Sequence, residues 1–241
     1  MDQIQQQFTD MLAAKGIEIN EQQLQQFEAY YEELITWNEK MNLTGITERD
    51  QVYTKHFYDS LTLAFYVDMH NVQSLADIGS GAGFPGIPLK IVFPHIQLRI
   101  VDSLNKRITF LQSVADRLAL KQVELIHGRA EEVGRKEGYR DAHDLVTARA
   151  VARLAVLNEF CLPFVKTGVR TFAAMKGSDL TEEIKEARRS LGLLKGKIKQ
   201  VHEFQLPIEQ SDRHIVVIEK EGATPVRYPR KPGTPMKEPL I

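Results

Sequence analysis

The stretch Leu75–Leu89 constrains this chain more than any other: Leu-Ala-Asp-Ile-Gly-Ser-Gly-Ala-Gly-Phe-Pro-Gly-Ile-Pro-Leu. An apolar strand ends at Asp77-Ile78. Gly79, Gly81 and Gly83 follow, then a turn through Phe84-Pro85-Gly86 and an apolar run that suits a helix. Alternate glycines let the backbone bend sharply and approach a ligand with no Cβ in the way. The helix behind them aims its free N–H groups at whatever sits there. Such a strand–turn–helix unit belongs in an open α/β sheet with a ligand at the strand ends.

A dinucleotide fingerprint, G-x-G-x-x-G, needs its third glycine at position 84, which is Phe84. The spacing is instead acid-x-G-x-G-x-G from Asp77, which resembles the first motif of the S-adenosylmethionine methyltransferases. That ligand carries a sulfonium and an α-amino group, and the Asp77 carboxylate suits positive charge better than phosphate.

With 241 residues the chain fits one substantial domain and an appendage. A single cysteine, Cys161, excludes an internal disulfide and a Cys-based metal cluster and suits a reducing cytoplasm. The polar start, Met-Asp-Gln-Ile-Gln-Gln-Gln, is not a signal peptide, and no apolar run suggests a membrane span. Net charge is −1, but it is unevenly spread: −8 over residues 1–74, +2 over 75–150 and +5 over 151–241. Such asymmetry marks either a face for a polyanion or lysine-rich solvated helices.

Residues 1–70 read as a helical extension packed on the core. Asn20 and Gln23 resemble a capping box, and Leu24, Phe27, Tyr31, Leu34 and Met41 form an apolar stripe. A second helix is expected over about 50–67. His56 and Asp59, three apart on it, favour a helix-surface hydrogen bond over a role at a substrate. Residues 71–222 alternate strand and helix, with strands at 75–78, 97–102, 123–127, 143–147 and 171–175. Ser103 is expected to cap a helix from Asn105, and a charged helix is expected from Asp179 to Leu191. Two strand-like runs, 200–206 and 214–220, then suit an antiparallel hairpin. The whole reads as a doubly wound, mostly parallel seven-stranded α/β sheet of the kind found in class I S-adenosylmethionine methyltransferases. Residues 223–241, rich in proline and carrying Arg227, Arg230, Lys231 and Lys237, read as an extended basic tail.

Ligands of such sheets sit beyond the carboxyl ends of the strands, where strand order reverses. The first three ends offer Asp77 with the glycines, then Asp102, then Ala130-Glu131. Asp77 would face the methionine part, Asp102 the ribose hydroxyls, Ala130 the adenine, and Glu131 would accept hydrogen bonds nearby. Arg149 and Lys176 end later strands and would face an anionic substrate such as RNA. An ion pair with Asp144 or Glu159 is the rival reading for Arg149. Cys161 lies in an apolar helical stretch and reads as packing, and no Asn/Asp-Pro-Pro-aromatic turn follows the fourth strand. A ring nitrogen such as guanine N7, which needs no general base, fits a site of this kind.

Asn42-Leu43-Thr44, Lys55-His56 with Asp59-Ser60-Leu61, Asp77–Pro88, Lys106-Arg107, Phe110-Leu111, Arg129 with Glu131, Arg149-Ala150 and Met175-Lys176-Gly177 together resemble the bacterial 16S rRNA guanine-N7 methyltransferase G family, also called glucose-inhibited division protein B. The likeness runs from about residue 20 to 220. It implies methyl transfer from S-adenosylmethionine to guanine N7 in a conserved loop of 16S rRNA, naked or in the 30S subunit. It also implies cofactor contacts at Gly79, Phe84, Ala130, Glu131 and Arg149. The rival readings are a non-catalytic ribosome-assembly factor with the same fold and an NAD-dependent oxidoreductase. No metal is expected, and neither is a membrane partner. A monomer is expected, because docking the extension leaves no apolar stripe over.

Overall fold

The structure, a computed structural model, describes residues 1–177 and 180–241. Seven strands form one sheet: β1 Ser74–Ile78, β2 Gln97–Asp102, β3 Val123–His127, β4 Leu145–Arg149, β5 Gly168–Lys176, β6 Gly196–Gln205 and β7 Asp212–Lys220. Their order is β3-β2-β1-β4-β5-β7-β6. β1 to β5 are parallel, and β7 runs antiparallel between β5 and β6. The order reverses between β1 and β4, so a ligand crevice opens there. The fourth strand runs Leu145–Arg149 rather than 143–147, because His143 makes only an isolated bridge to Val165.

The central strands of the sheet are buried on both faces, as parallel strands require. Leu75, Leu98 and Ile100 face one apolar layer, and Ala76, Ile78 and Val101 the other. Between the strands run α5 (Gly86–Val92), α6 (Asn105–Arg117), α7 (Ala130–Val133), α8 (Leu154–Cys161) and α9 (Thr181–Leu194). The expected start of the last helix at Asp179 lies outside the described residues. Ser103 does not cap α6: Leu104 takes the N-cap position without a side-chain bond, and the Asp102 carboxylate accepts from the Leu104 N–H (2.9 Å).

The extension begins with α1 (Gln3–Ala13) and α2 (Glu21–Met41), each opened by a capping box, Asp2/Gln5 and Asn20/Gln23. α2 buries Phe27, Tyr30 and Leu34, and Leu24, Tyr31 and Met41 pack half-buried against the same cluster, so Tyr30 adds to the expected stripe. The glutamines of α2 satisfy helix-end carbonyls of the core. Gln23 donates to Ile91 (2.9 Å) at the end of α5, and Gln26 to Leu118 (2.8 Å) just after α6. The Tyr30 hydroxyl donates to the Ala82 carbonyl inside the glycine-rich loop. The extension thus shares a core with Phe84, Ile87 and Leu111 rather than resting on a finished surface.

Residues 49–65 form one helical segment interrupted by a wider turn. α3 (Arg49–Val52) leads into a π-helical turn at Tyr53–Tyr58, then α4 (Asp59–Leu61) and a 3-10 turn. A π turn shifts the facing of side chains by one residue and is common at functional sites. Residues 223–241 are not an extended tail. They fold back on the sheet domain, include α10 (Thr234–Lys237), and bury Tyr228 and Leu240 in the layer around α8. Their prolines fix a compact path, and Arg230 pairs with the buried Glu159 (2.8 Å) instead of reaching into solvent. Among the described residues no helix is long and apolar enough to cross a membrane.

Candidate active site

The tips of β1, β2 and β3 are tied together by backbone bonds. The Gly79 N–H donates to the Val101 carbonyl (2.8 Å), and the Gly128 N–H to the Asp102 carbonyl (3.0 Å). The glycines between them do different work. A Cβ on Gly79 would meet Val151 at 2.8 Å, and one on Gly83 would meet Tyr30, Ile87 and Leu111. Those two are required by packing and by their positive φ. Gly81 (φ +63) is different: a Cβ there would meet nothing within 4 Å, so its bare backbone faces open space.

Asp77 is fully buried behind this loop. One carboxylate oxygen accepts from Ser80 Oγ and from the Gly86 N–H at the start of α5, both at 2.8 Å. The other, Oδ1, has no partner among the described residues. Burial pushes the Asp77 pKa up to about 6, against the two hydrogen bonds. Asp102, also buried, accepts from Gly81 N–H (3.1 Å) and Arg107 (3.3 Å) on Oδ2, and from Leu104 N–H on Oδ1. Asp77 pairs with Ile100, two residues before Asp102, so strand alternation puts both acids on one face of the sheet. Glu131, the second residue of α7, is buried at the third tip, and Ala130 before it is half-buried. Three acids and a bare glycine backbone suit a ligand that is cationic and rich in hydroxyls.

Across the switch point lies a cavity of about 340 Å³. Arg149 and Lys176, from the ends of β4 and β5, line it with Lys55, His56, Asp59 and Arg213. The partner of Arg149 is neither Asp144 nor Glu159. It is the buried Asp59 (2.8 Å), which also holds Arg213 (3.1 Å). Asp144 and Glu159 are occupied elsewhere, by Lys166 and by Arg230. No hydrogen bond joins His56 to Asp59 among the described residues; both face the cavity, where Arg149 meets Asp59 (2.8 Å) and His56 (3.4 Å). His56 meets Thr44 Oγ1 (2.8 Å) and stacks on Phe84, 4.6 Å between ring centroids. Arg149 lies over the same Phe84 ring at 4.9 Å. Phe84 therefore joins extension, loop and cavity. Burial, with Arg149 adding to it, lowers the His56 pKa to about 3, so the ring is neutral. Lys176 is held by Glu183 and by the Ala152 carbonyl (2.9 Å).

The sequence reading missed Arg213 and Phe204 of the cavity, and Tyr30 of the loop. The hairpin carried the available signal. An antiparallel β7 beside β5 brings its first residues to the end of β5, where Lys176 pairs with His214. Cys161 is buried in α8 and its thiol pKa is raised by burial, in keeping with packing. Among the described residues no group of three or more His, Cys, Asp or Glu is placed to hold a metal ion.

Solved structures share the fold at low identity. A putative O-methyltransferase from Klebsiella pneumoniae matches with a TM-score of 0.57 at 12% identity, covering 91% of this chain and 100% of that one. The O-methyltransferase from Bacillus cereus in complex with SAH matches with a TM-score of 0.54 at 13% identity, covering 79% and 90%. Much nearer in sequence are the proteins named ribosomal RNA small subunit methyltransferase G of Bacillus thuringiensis (strain Al Hakam) and Bacillus anthracis (strain A0248). Each is 56% identical over 234 residues, 97% of this chain and 98% of theirs. The profile of the family described as rRNA small subunit methyltransferase G matches residues 23–216. On that likeness and the fold together, this chain is a member of the rRNA small subunit methyltransferase G family, S-adenosylmethionine-dependent methyltransferases built on a doubly wound sheet.

Proposed function

We propose that the chain methylates N7 of a guanine in 16S ribosomal RNA, binding S-adenosylmethionine at the tips of β1–β3 and the RNA at the tips of β4, β5 and β7. When bound, the cofactor supplies a methyl group on a positively charged sulfur. Gly81 and the orphaned Asp77 oxygen fit its amino-acid end, Asp102 its ribose, and Ala130 and Glu131 its adenine, with Gly79, Gly83 and Phe84 shaping the loop. The observation that carries the reading is the basic cavity that adjoins these acids across the switch point. Guanine N7 already presents a lone pair, so the site must align the base rather than deprotonate it. Arg149 and Lys176 can donate to base and phosphate oxygens. The neutral His56 adds no charge where the base becomes cationic, and Asp59 sets a carboxylate close by.

Labelled S-adenosylmethionine with under-methylated 30S subunits, naked 16S rRNA and tRNA tests this directly. Label in 16S rRNA that maps to 7-methylguanosine is expected. No label in any RNA would favour a non-catalytic assembly factor, and label in tRNA alone would remove the substrate. A cytoplasmic monomer goes with this reading. Exposed large apolar side chains such as Leu104, Ile208 and Val226 come from separate segments, and a single species of monomer mass is expected in sedimentation.

A further inference from the structure

We propose that the C-terminal segment 223–241 is a strap that positions Glu131 for the cofactor, so that the cofactor pocket is completed by a part of the chain lying beyond the family profile, which ends at residue 216. The inference rests on the assignment of Glu131 to the cofactor made above. The contact is direct: the Gly233 N–H donates to Glu131 Oε1 at 2.9 Å. Gly233 has φ +82, a backbone that favours glycine and turns this N–H toward the carboxylate. The other oxygen, Oε2, accepts no bond from a described residue and remains available as an acceptor.

The strap is fixed on both sides of this contact. Upstream, Arg135 donates to the carbonyls of Pro229 (2.8 Å) and Arg227 (2.9 Å), and Arg140 to those of Thr224 (2.6 Å) and Tyr228 (2.9 Å). Arg135 follows α7 by two residues, so the strap grips this short helix at its first turn and just past its end. Closer to Gly233, Arg230 meets both oxygens of Glu159, which is buried on α8. Tyr228 and Leu240 are buried with α8 residues. A four-residue helix at a strand tip has little rigidity of its own. Held by the strap, its one buried carboxylate has a fixed direction before the ligand arrives, which lowers the ordering cost of binding.

Calorimetry with S-adenosylmethionine separates the possibilities, using the full chain, Glu131→Gln, a chain ending at Gly222, and that shorter chain with a synthetic peptide of residues 223–241. Truncation is expected to weaken binding about ten-fold, the peptide to restore it, and truncation in the Glu131→Gln background to add little. An affinity within two-fold of the parent in a truncated chain that still melts cooperatively would overturn the strap, as would fully additive effects. Unchanged affinity in Glu131→Gln would remove the cofactor role of Glu131 itself, a different failure. Should the short chain not fold, Arg135→Ala in the full chain takes its place. It is expected to speed amide exchange of residues 223–241 and to weaken binding about three-fold, without changing RNA affinity. Faster exchange with unchanged cofactor affinity would count against the strap.

Discussion

The two halves of the crevice hold their charges in opposite ways. On the β1–β3 side, acids are held by backbone N–H groups: Asp77 by Gly86, Asp102 by Gly81 and Leu104, Glu131 by Gly233. On the β4–β7 side, cations are held by acidic side chains: Arg149 and Arg213 by Asp59, Lys176 by Glu183, Lys55 by Glu209. Backbone donors fix a direction and leave lone pairs for a ligand. Side-chain pairs keep cations in place, yet they can exchange partners when a polyanion arrives. One half is therefore built as a rigid socket, the other as a charge-balanced surface that can be recruited.

Breaking the second half at its hub is expected to have the largest effect. Asp59→Ala strands two guanidinium groups against a buried site, and a loss of about 3–5 kcal/mol in urea denaturation is expected, with methyl transfer abolished. Asp102→Ala breaks the first half more mildly. It is expected to weaken S-adenosylmethionine by about 1–3 kcal/mol in calorimetry while leaving RNA binding intact. Lys176→Ala is expected to weaken RNA binding uniformly across sequences and to reduce the slope of its salt dependence by about one.

The smallest effect is one of acidity, and it has opposite signs in the two halves. His56 has its pKa lowered from 6.5 to about 3, so the unfolded chain binds the extra proton; its contribution is complete above 6.5 and is lost as pH falls toward 3. Asp77 is raised from 3.8 to about 6, so the folded chain binds the extra proton and its contribution falls as pH rises between those values. Denaturation at pH 4 to 6.5 should therefore show a shallower acid loss in His56→Gln and a steeper one in Asp77→Asn.

The same contrast explains what could be read from the sequence. Two of the strand-tip acids have local surroundings: Asp77 and its donor Gly86 lie within one strand–turn–helix unit, and Asp102 follows one strand later, whereas the donor to Glu131, Gly233, is 102 positions away. The mostly parallel sheet was legible for the same reason, as regular alternation of strand and helix. The cavity is assembled from distant segments. Asp59 reaches Arg149 across 90 positions and Arg213 across 154, and nothing in local spacing marks such pairs. The π turn was invisible because propensity patterns assume a constant period, and nothing local shows that His56 and Asp59 meet Arg149 rather than each other. The folded C-terminal segment was misjudged because proline and basic residues look solvated until Glu159 and Glu131, remote in sequence, supply partners.

The division of labour itself is tested most directly by measuring cofactor and RNA affinities separately for Asp102→Ala and Lys176→Ala. A crossed result is predicted: the first substitution weakens only S-adenosylmethionine, and the second only 16S rRNA. Equal loss of both ligands in either protein would contradict two independently built halves.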